Sequence, residues 1–283
     1  MLFSACEKAE KNDQGHTEAC WIYAMSACIE HEALRVGDSI AISRQWLMAR
    51  ELEEQTINRA TEKEPKDISM RGVGPEVLRL IRVYGIVPYQ FERENRITSS
   101  KVLEQKLTLL ADKCRRDESQ GRNPQTTREE LKDAIDRLMP RFSLSYNGDF
   151  YYYSMRYTPQ QFAQSVMYRI RYRWYAHDEG TKNGACFVLQ TPDNPWNYEF
   201  INVPYEQMYA MTVASLRKGH AVYWESGKNH ESDHAMALVG INADGTLRCL
   251  NSYGSKWGNK GYCNITKEQF LAKVCCVGII EEQ

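Results

Sequence analysis

The chain reads Gln14-Gly15-His16-Thr17-Glu18-Ala19-Cys20-Trp21 just before a long helical pattern. In that pattern, apolar residues recur at the spacing of one helix face, at Trp21, Ala24, Met25, Cys28 and Ile29. A thiol at a helix N-terminus lies in the partial positive charge of unpaired backbone N–H groups, which stabilises the thiolate. Cys20 is therefore a candidate nucleophile, with a small buried core residue as the alternative.

The first half of the chain is predicted to be mainly helical. The helix-forming composition runs from Ala19 to about Arg59, and a shorter helix beginning near Val77 ends at Gly85. Between Glu92 and about Leu138, two amphipathic stretches flank a charged, exposed linker at residues 113–124. These features predict a helical lobe with a helical insertion.

After Pro140 the pattern changes to alternating segments rich in aromatic and β-branched residues. Strands are predicted at Phe142–Tyr146, Phe150–Tyr153, Cys186–Gln190, Ala221–Trp224, Met236–Ile241, Leu247–Leu250, Tyr262–Ile265 and Val274–Ile280. Helices are predicted from Pro159 to about Ile170 and from Tyr205 to about Arg217, and the aromatic residues 172–175 are predicted to lie where a helix passes into a loop. Helices first and strands second indicate an α+β fold.

This order predicts one unit of two lobes. Residues 1–13 form a leader that we expect to be disordered, residues 14–139 the helical lobe and residues 140–283 the β-rich lobe. The site is expected in the cleft between the lobes.

Composition excludes several classes of protein. The 283 residues include 36 Lys and Arg against 37 Asp and Glu, so the net charge of −1 gives no basic excess for binding nucleic acid. No apolar run approaches the roughly 18 residues that a membrane span needs. The nine cysteines are odd in number and form no CxxC pair, which indicates neither a disulfide framework nor a four-thiolate zinc site.

The second half supplies two groups that can complete a cysteine nucleophile. Asp233-His234-Ala235 stands where a polar loop gives way to a predicted strand, and Asn251-Ser252 follows the next strand. A cysteine nucleophile needs a base, and the base needs a third group that fixes its ring tautomer. A single Cys, His or Asn more often has a structural role than a catalytic one. The occurrence of Cys20, His234 and Asn251 in this order is difficult to explain by structural roles alone.

These residues resemble the papain-like cysteine peptidases, and more closely the bleomycin hydrolase and aminopeptidase C branch with its bacterial relatives. Gln14 stands six residues before Cys20, as the oxyanion-hole glutamine of that family does. The segment Asn251-Ser252-Tyr253-Gly254-Ser255-Lys256-Trp257-Gly258-Asn259-Lys260-Gly261-Tyr262 keeps the spacing of the asparagine motif. The resemblance implies a two-lobe fold in which Cys20, His234, Asn251 and Gln14 are catalytic.

The resemblance also implies roles around the catalytic group. The backbone of Gly72 would pair with the substrate strand, and Asp233 and Glu18 would lie at the substrate. Tyr253 and Trp257 would shield the histidine and asparagine, with Tyr253 replacing the usual tryptophan. Cys20 and His234 are 214 residues apart, which implies an insertion.

One departure from the family bears on activity. Glu18 stands where the family usually has glycine, so its side chain either crowds the oxyanion region or places a carboxylate in the cleft.

The expected function is hydrolysis of peptide bonds by a thiolate–imidazolium pair through an acyl-enzyme, without metal or cofactor. The substrate would be a peptide or protein, and cutting within the chain or from its N-terminus stays open. The alternative is a papain-like fold with impaired catalysis that binds peptides. A metal site at His230 and His234 is disfavoured because no helical stripe brings the two rings to one face. The resemblance alone allows an oligomer.

The N-terminus admits two interpretations of location. As written, it has neither a basic region nor an apolar stretch of a signal peptide, which indicates a cytoplasmic protein. Leu2-Phe3-Ser4-Ala5-Cys6 resembles the end of a lipoprotein signal, so an upstream start would make Cys6 the anchor of an exported lipoprotein.

Overall fold

The computed structural model describes residues 12–228 and 231–281, and leaves the side chains of residues 228 and 231–233 undescribed. Cys6 and nearly all of the predicted leader lie outside these ranges. None of the helices in the described ranges is long and apolar enough to cross a membrane.

The helices are α1 to α8 in chain order. They span Cys20–Arg35, Arg44–Thr61, Gly74–Tyr84, Ser100–Ser119, Pro124–Leu138, Pro159–Met167, Tyr205–Arg217 and Lys267–Lys273. A single 3₁₀ turn, Tyr89–Phe91, follows α3.

The strands are β1 to β10. They span Phe150–Tyr152, Met155–Tyr157, Tyr172–Ala176, Cys186–Val188, Glu199–Asn202, Val222–Lys228, Glu231–Ile241, Leu247–Leu250, Tyr262–Ile265 and Val274–Ile280. Strands β1 and β2 form a hairpin, and the other eight form one sheet in the order β4-β5-β3-β10-β6-β7-β8-β9. All neighbours in this sheet are antiparallel except β3 and β5.

Helix α1 is the central element of the fold. It packs on β6 and β7 on one side and on α2 and α3 on the other. Every residue from Trp21 to Glu30 is consequently buried, so the predicted apolar stripe understates how completely this helix is enclosed. A helix surrounded in this way holds its first residue, Cys20, between the helices and the sheet.

The structure confirms the α+β fold, with a helical lobe and a β-rich lobe. In space, the first elements after Pro140 lie with the helices: α6 packs on α3, and Phe150 of β1 lies 4.9 Å from Phe91 between ring centroids. The division of the chain at residues 139 and 140 stays a prediction.

Several predicted helix limits were wrong. The helix expected from Ala19 to Arg59 is interrupted between Arg35 and Arg44, where Gly37 adopts φ of 85°. Glycine at such a position ends a helix without steric cost, and this was the missed stop signal. Helix α4 runs through most of the predicted linker and ends at Ser119, leaving only residues 120–123 before α5.

The sheet differs from the prediction in three ways. Phe142–Tyr146 is not a strand, since its one bridge joins Phe142 to Glu92 while the Phe142 ring packs edge-on against Trp46. Residues 172–175 lie in β3, paired between β5 and β10, and are neither helix nor loop. Strand β7 begins at Glu231, so His234 lies within a strand and not before one.

Candidate active site

A cavity of about 200 Å³ lies at the N-terminus of α1, and the structure brings most of the predicted site residues to it. Ten of the described residues line it: Gln14, Thr17, Glu18, Cys20, Trp21, Arg71, Gly72, Asp193, His234 and Tyr253. Asn251 lies behind His234, and Trp257 lies behind Tyr253. The side chain of Asp233 is outside the described part of the chain, so its predicted role stays a prediction.

Cys20 is the first residue of α1 and is partly buried. Burial raises the pKa of its thiol to about 12, although hydrogen bonds from the backbone N–H groups of Ala235 and Trp21 act to lower it. The negative charges of Glu225 and Asp193 raise it further. Burial therefore acts against the thiolate that the helix N-terminus was expected to stabilise, and the pKa of the thiol lies above its usual value.

His234 and Asn251 form a short hydrogen bond, with 2.6 Å between His234 Nε2 and Asn251 Oδ1. The backbone N–H of Ser252 donates to the same Oδ1 at 2.7 Å, which identifies this atom as the amide oxygen. Since an amide oxygen only accepts, Nε2 carries the hydrogen, and Nδ1 of the neutral ring keeps a lone pair. Asn251 thus fixes the tautomer in which the imidazole accepts a proton at Nδ1.

Tyr253 covers the histidine. Its ring is stacked on His234, with 5.0 Å between centroids and 25° between planes. Trp257 packs edge-on against Tyr253 at 5.6 Å. Tyr253 and Trp257 therefore lie where the shield was predicted, the shielding role itself stays a prediction, and Tyr253 keeps 45% of its surface exposed.

Gln14 is held in one orientation. Its Oε1 accepts from the Ser252 hydroxyl at 2.5 Å, and its Nε2 donates to the Thr17 carbonyl at 2.5 Å. The backbone N–H of Gln14 donates to the Ser252 carbonyl at 2.9 Å. These contacts fix the amide of Gln14, which lines the same cavity as Cys20, and make Ser252 the link between Gln14 and Asn251.

Gly72 lies against the indole of Trp21. A Cβ atom at residue 72 would be 2.7 Å from two ring carbons of Trp21. The ring is not free to move, because it is buried and its Nε1 donates to the Met70 carbonyl at 2.7 Å. Glycine is therefore required at residue 72, because any side chain there would clash with the Trp21 ring that forms this wall of the cavity.

Sequence reasoning missed Thr17, Ser252 and the pair of Arg71 with Asp193. Arg71 donates from Nε and Nη2 to the two carboxylate oxygens of Asp193, at 2.5 and 3.1 Å, across 122 residues of chain. Such a pair has no local signal, and only the fold could have revealed it. Ser252 could have been found, because it stands within the asparagine motif.

The described residues contain no group of three or more His, Cys, Asp or Glu side chains placed to hold a metal ion. His230, one half of the disfavoured metal alternative, lies outside the described ranges.

Comparison with known proteins gives a match at the level of structure. No protein-family profile and no curated protein sequence matches the chain. PepW from Lactobacillus rhamnosis HN001 superposes with a TM-score of 0.64 at 16% identity, covering 94% of this chain and 79% of PepW. Xylellain, a cysteine protease from Xylella fastidiosa, has a TM-score of 0.46 at 14% identity, covering 96% of this chain and 82% of xylellain.

A structural match at 16% sequence identity establishes similarity of fold alone. The superposition on PepW takes in most of both chains, and the described elements form a helical lobe and a β-rich lobe around the buried helix α1. This chain has the papain-like two-lobe α+β fold.

Proposed function

We propose that this protein is a cysteine-type peptidase that hydrolyses peptide bonds. The observation that carries the proposal is the meeting of Cys20 and the His234–Asn251 pair at one cavity, with Asn251 bound to Nε2 so that Nδ1 is the basic nitrogen of the neutral ring. A nucleophile, a base and a group that orients the base are the parts that covalent acyl transfer requires. Its resemblance in motifs to the bleomycin hydrolase branch supports the same proposal.

In the first half of the reaction, His234 Nδ1 takes the proton of the Cys20 thiol as Sγ attacks the scissile carbonyl carbon. This transfer forms the predicted thiolate–imidazolium pair, and because burial raises the pKa of the thiol to about 12, the pair depends on His234 as its base. The imidazolium then gives its proton to the amine nitrogen as the carbon–nitrogen bond breaks. The products are a free amine and a thioester on Cys20.

In the second half, water gives a proton to His234 Nδ1 and attacks the thioester carbonyl. The carbon–sulfur bond breaks, the acid leaves and the proton returns to Cys20. In both halves the side-chain N–H of Gln14 would stabilise the negative oxygen, where losing one donor typically costs about 10²- to 10³-fold in rate. The backbone of Gly72 would hold the substrate strand beside Cys20.

A second candidate is a peptide-binding protein in which catalysis is impaired. The raised pKa of Cys20 favours it, because a protonated thiol is a weak nucleophile. The geometry of His234 and Asn251 favours the peptidase, since a binding protein needs no fixed imidazole tautomer.

Intact-mass spectrometry after brief exposure to a papain-family epoxide inhibitor separates the two candidates. We expect one adduct in the wild type, lost in Cys20→Ala. Cys186→Ala is the matched control, because Cys186 is exposed and lies outside the cavity. This variant should keep the adduct. Loss of the adduct in this variant would mean that exposure alone decides which cysteine is labelled. Equal labelling of Cys20→Ala and the wild type contradicts the peptidase.

The same measurement on Glu18→Gly tests whether this carboxylate blocks the site. A wild type that forms no adduct, together with a Glu18→Gly variant that does, makes peptide binding the better account. An adduct in both leaves Cys20 activated with Glu18 present.

A further inference from the structure

Glu18 places a carboxylate near the candidate nucleophile, where its charge interacts with those of Arg71 and Glu104. Glu18 lines the same cavity as Cys20 and Gly72, and its side chain is exposed. Within the described ranges, no hydrogen bond or ion pair joins this carboxylate to another side chain. Its charge is therefore available to a molecule in the cavity.

Among the described lining residues, the guanidinium of Arg71 is compensated by a carboxylate other than Glu18. Arg71 gives two hydrogen bonds to Asp193, whose side chain is only 4% exposed. These hydrogen bonds raise the pKa of Arg71, with a smaller contribution from the charge of Glu18. A fork of two charge-assisted hydrogen bonds is a strong pairing, so Arg71 is held mainly by Asp193 and interacts with Glu18 only through charge.

Glu104 makes the surroundings of Glu18 more negative. Burial raises the pKa of Glu104, and its interaction with the Glu18 charge adds to the rise. Glu104 also accepts the backbone N–H of Met70 at 2.8 Å, two residues before Gly72. Among the described lining residues, the two carboxylates of Glu18 and Asp193 thus outnumber the one guanidinium of Arg71. Glu104 lies near this group.

We propose that Glu18 makes this cavity select peptides that carry a cation next to the scissile bond, a guanidinium or ammonium group. The selectivity proposal rests on the proposed peptidase function, because only a peptidase has a scissile bond. A cavity of about 200 Å³ is smaller than an ordinary ligand site of about 300–1,000 Å³, so a residue bound at Cys20 also lies close to Glu18. The cation is supplied by an Arg or Lys side chain or by the free N-terminus of the peptide.

The first experiment measures binding apart from catalysis. In Cys20→Ala, fluorescence anisotropy compares an acetylated Ala-Ala-Arg-Ala-Ala peptide, labelled at its C-terminus, with its citrulline counterpart, which has the same shape without charge. We expect the Arg peptide to bind about three- to tenfold more tightly, and this ratio to fall to about one when Glu18→Gln is added. Glu64→Gln, at an exposed residue outside the cavity, should leave the ratio unchanged.

A second pair of peptides separates the two sources of the cation. An uncharged peptide with a free amino terminus is compared with its acetylated form in the same variants. A Glu18-dependent preference for the free amine assigns the cation to the peptide terminus, and a preference for Arg over citrulline assigns it to a side chain. The proposal is overturned if neither preference appears, if none of the peptides binds, or if a preference survives Glu18→Gln.

Hydrolysis of the same peptides by the wild-type protein keeps this proposal distinct from the peptidase proposal. Cleavage without any charge preference overturns the role of Glu18 and leaves the peptidase standing. A charge preference in binding with no cleavage of any peptide leaves the role of Glu18 standing and overturns the peptidase.

Discussion

The Cys20 thiol is subject to two opposing influences. The N-terminus of α1 and the N–H groups of Ala235 and Trp21 favour the thiolate, whereas desolvation and the charges of Glu225 and Asp193 disfavour it. The second set is the larger, so the thiol needs a base within its own cavity. This gives the His234–Asn251 pair a specific task, which is to take the proton.

Removing the base should expose the intrinsic titration of the thiol. In His234→Ala, the rate constant for alkylation of Cys20 by iodoacetamide should rise about tenfold per pH unit from pH 7 to pH 10, because the thiolate fraction of a group with a pKa of about 12 grows by that factor. Peptide-resolved mass spectrometry gives the rate at Cys20. N-Acetylcysteine, as the control, should level off above about pH 9. A plateau at Cys20 below pH 10 contradicts the prediction.

The contact of Gly72 with Trp21 predicts a cost for any side chain at residue 72. Gly72→Ala should lower the free energy of unfolding by about 1–3 kcal/mol, because a Cβ atom 2.7 Å from a buried ring forces the core to shift. Urea unfolding measures this change. Gly240→Ala is the control, since a Cβ there meets no described atom within 4 Å and should change the free energy by less than about 0.5 kcal/mol. Equal effects of the two substitutions would refute the explanation.

At the scale of elements, the sequence pattern predicted those strands whose two ends are marked by turns or helix signals in the sequence. Strands β8, β9 and β10 have their predicted limits, because the segments that bound them are visible in the sequence. Strand β3 was missed because its five aromatic-rich residues suit a helix end as well as a strand, and pairing with the distant β10 decides between them. The position of His234 within β7 was missed for the same reason.

The residues of the candidate site likewise divide into those that local sequence patterns predict and those that only the fold reveals. Cys20, His234, Asn251 and Gln14 could be proposed from motif spacing, and the fold does bring them together. The Arg71–Asp193 pair could not, because no local pattern relates residues whose contact depends on how the two lobes pack.

Helix caps visible in the sequence permit a matched test at this scale. Thr158 caps α6 in a capping box, with its hydroxyl accepting from Gln161 N–H at 3.2 Å, so Thr158→Ala should lower the free energy of unfolding by about 1 kcal/mol. Ser99 precedes α4 but makes no cap hydrogen bond with the described residues, so Ser99→Ala should cost less than about 0.5 kcal/mol. Thermal or urea unfolding of the two variants compares them directly, and a larger loss in Ser99→Ala would be the contrary result.

For the whole molecule, the end of α1 is joined to the β-rich lobe. Glu32, buried on α1, accepts the Ala221 N–H at 2.9 Å and pairs with His220 at 2.8 Å, both just before β6. The same carboxylate accepts from Arg35 at 2.9 Å. Since α1 is enclosed by both lobes, the helices and the sheet share one core, and the cleft between them depends on their folding together.

This shared core predicts that a substitution of Glu32 destabilises both lobes. Glu32→Gln should lower the free energy of unfolding by about 1.5–3 kcal/mol, because a buried carboxylate that pairs with the Arg35 guanidinium is replaced by a neutral amide. Native-state hydrogen exchange should show the same loss for the slowest amides of α1 and of β7, as expected when both exchange through global unfolding. Glu64→Gln, at an exposed residue, should change neither. A loss confined to α1 would mean that the helix opens without the sheet, and the two lobes would then be separate folding units.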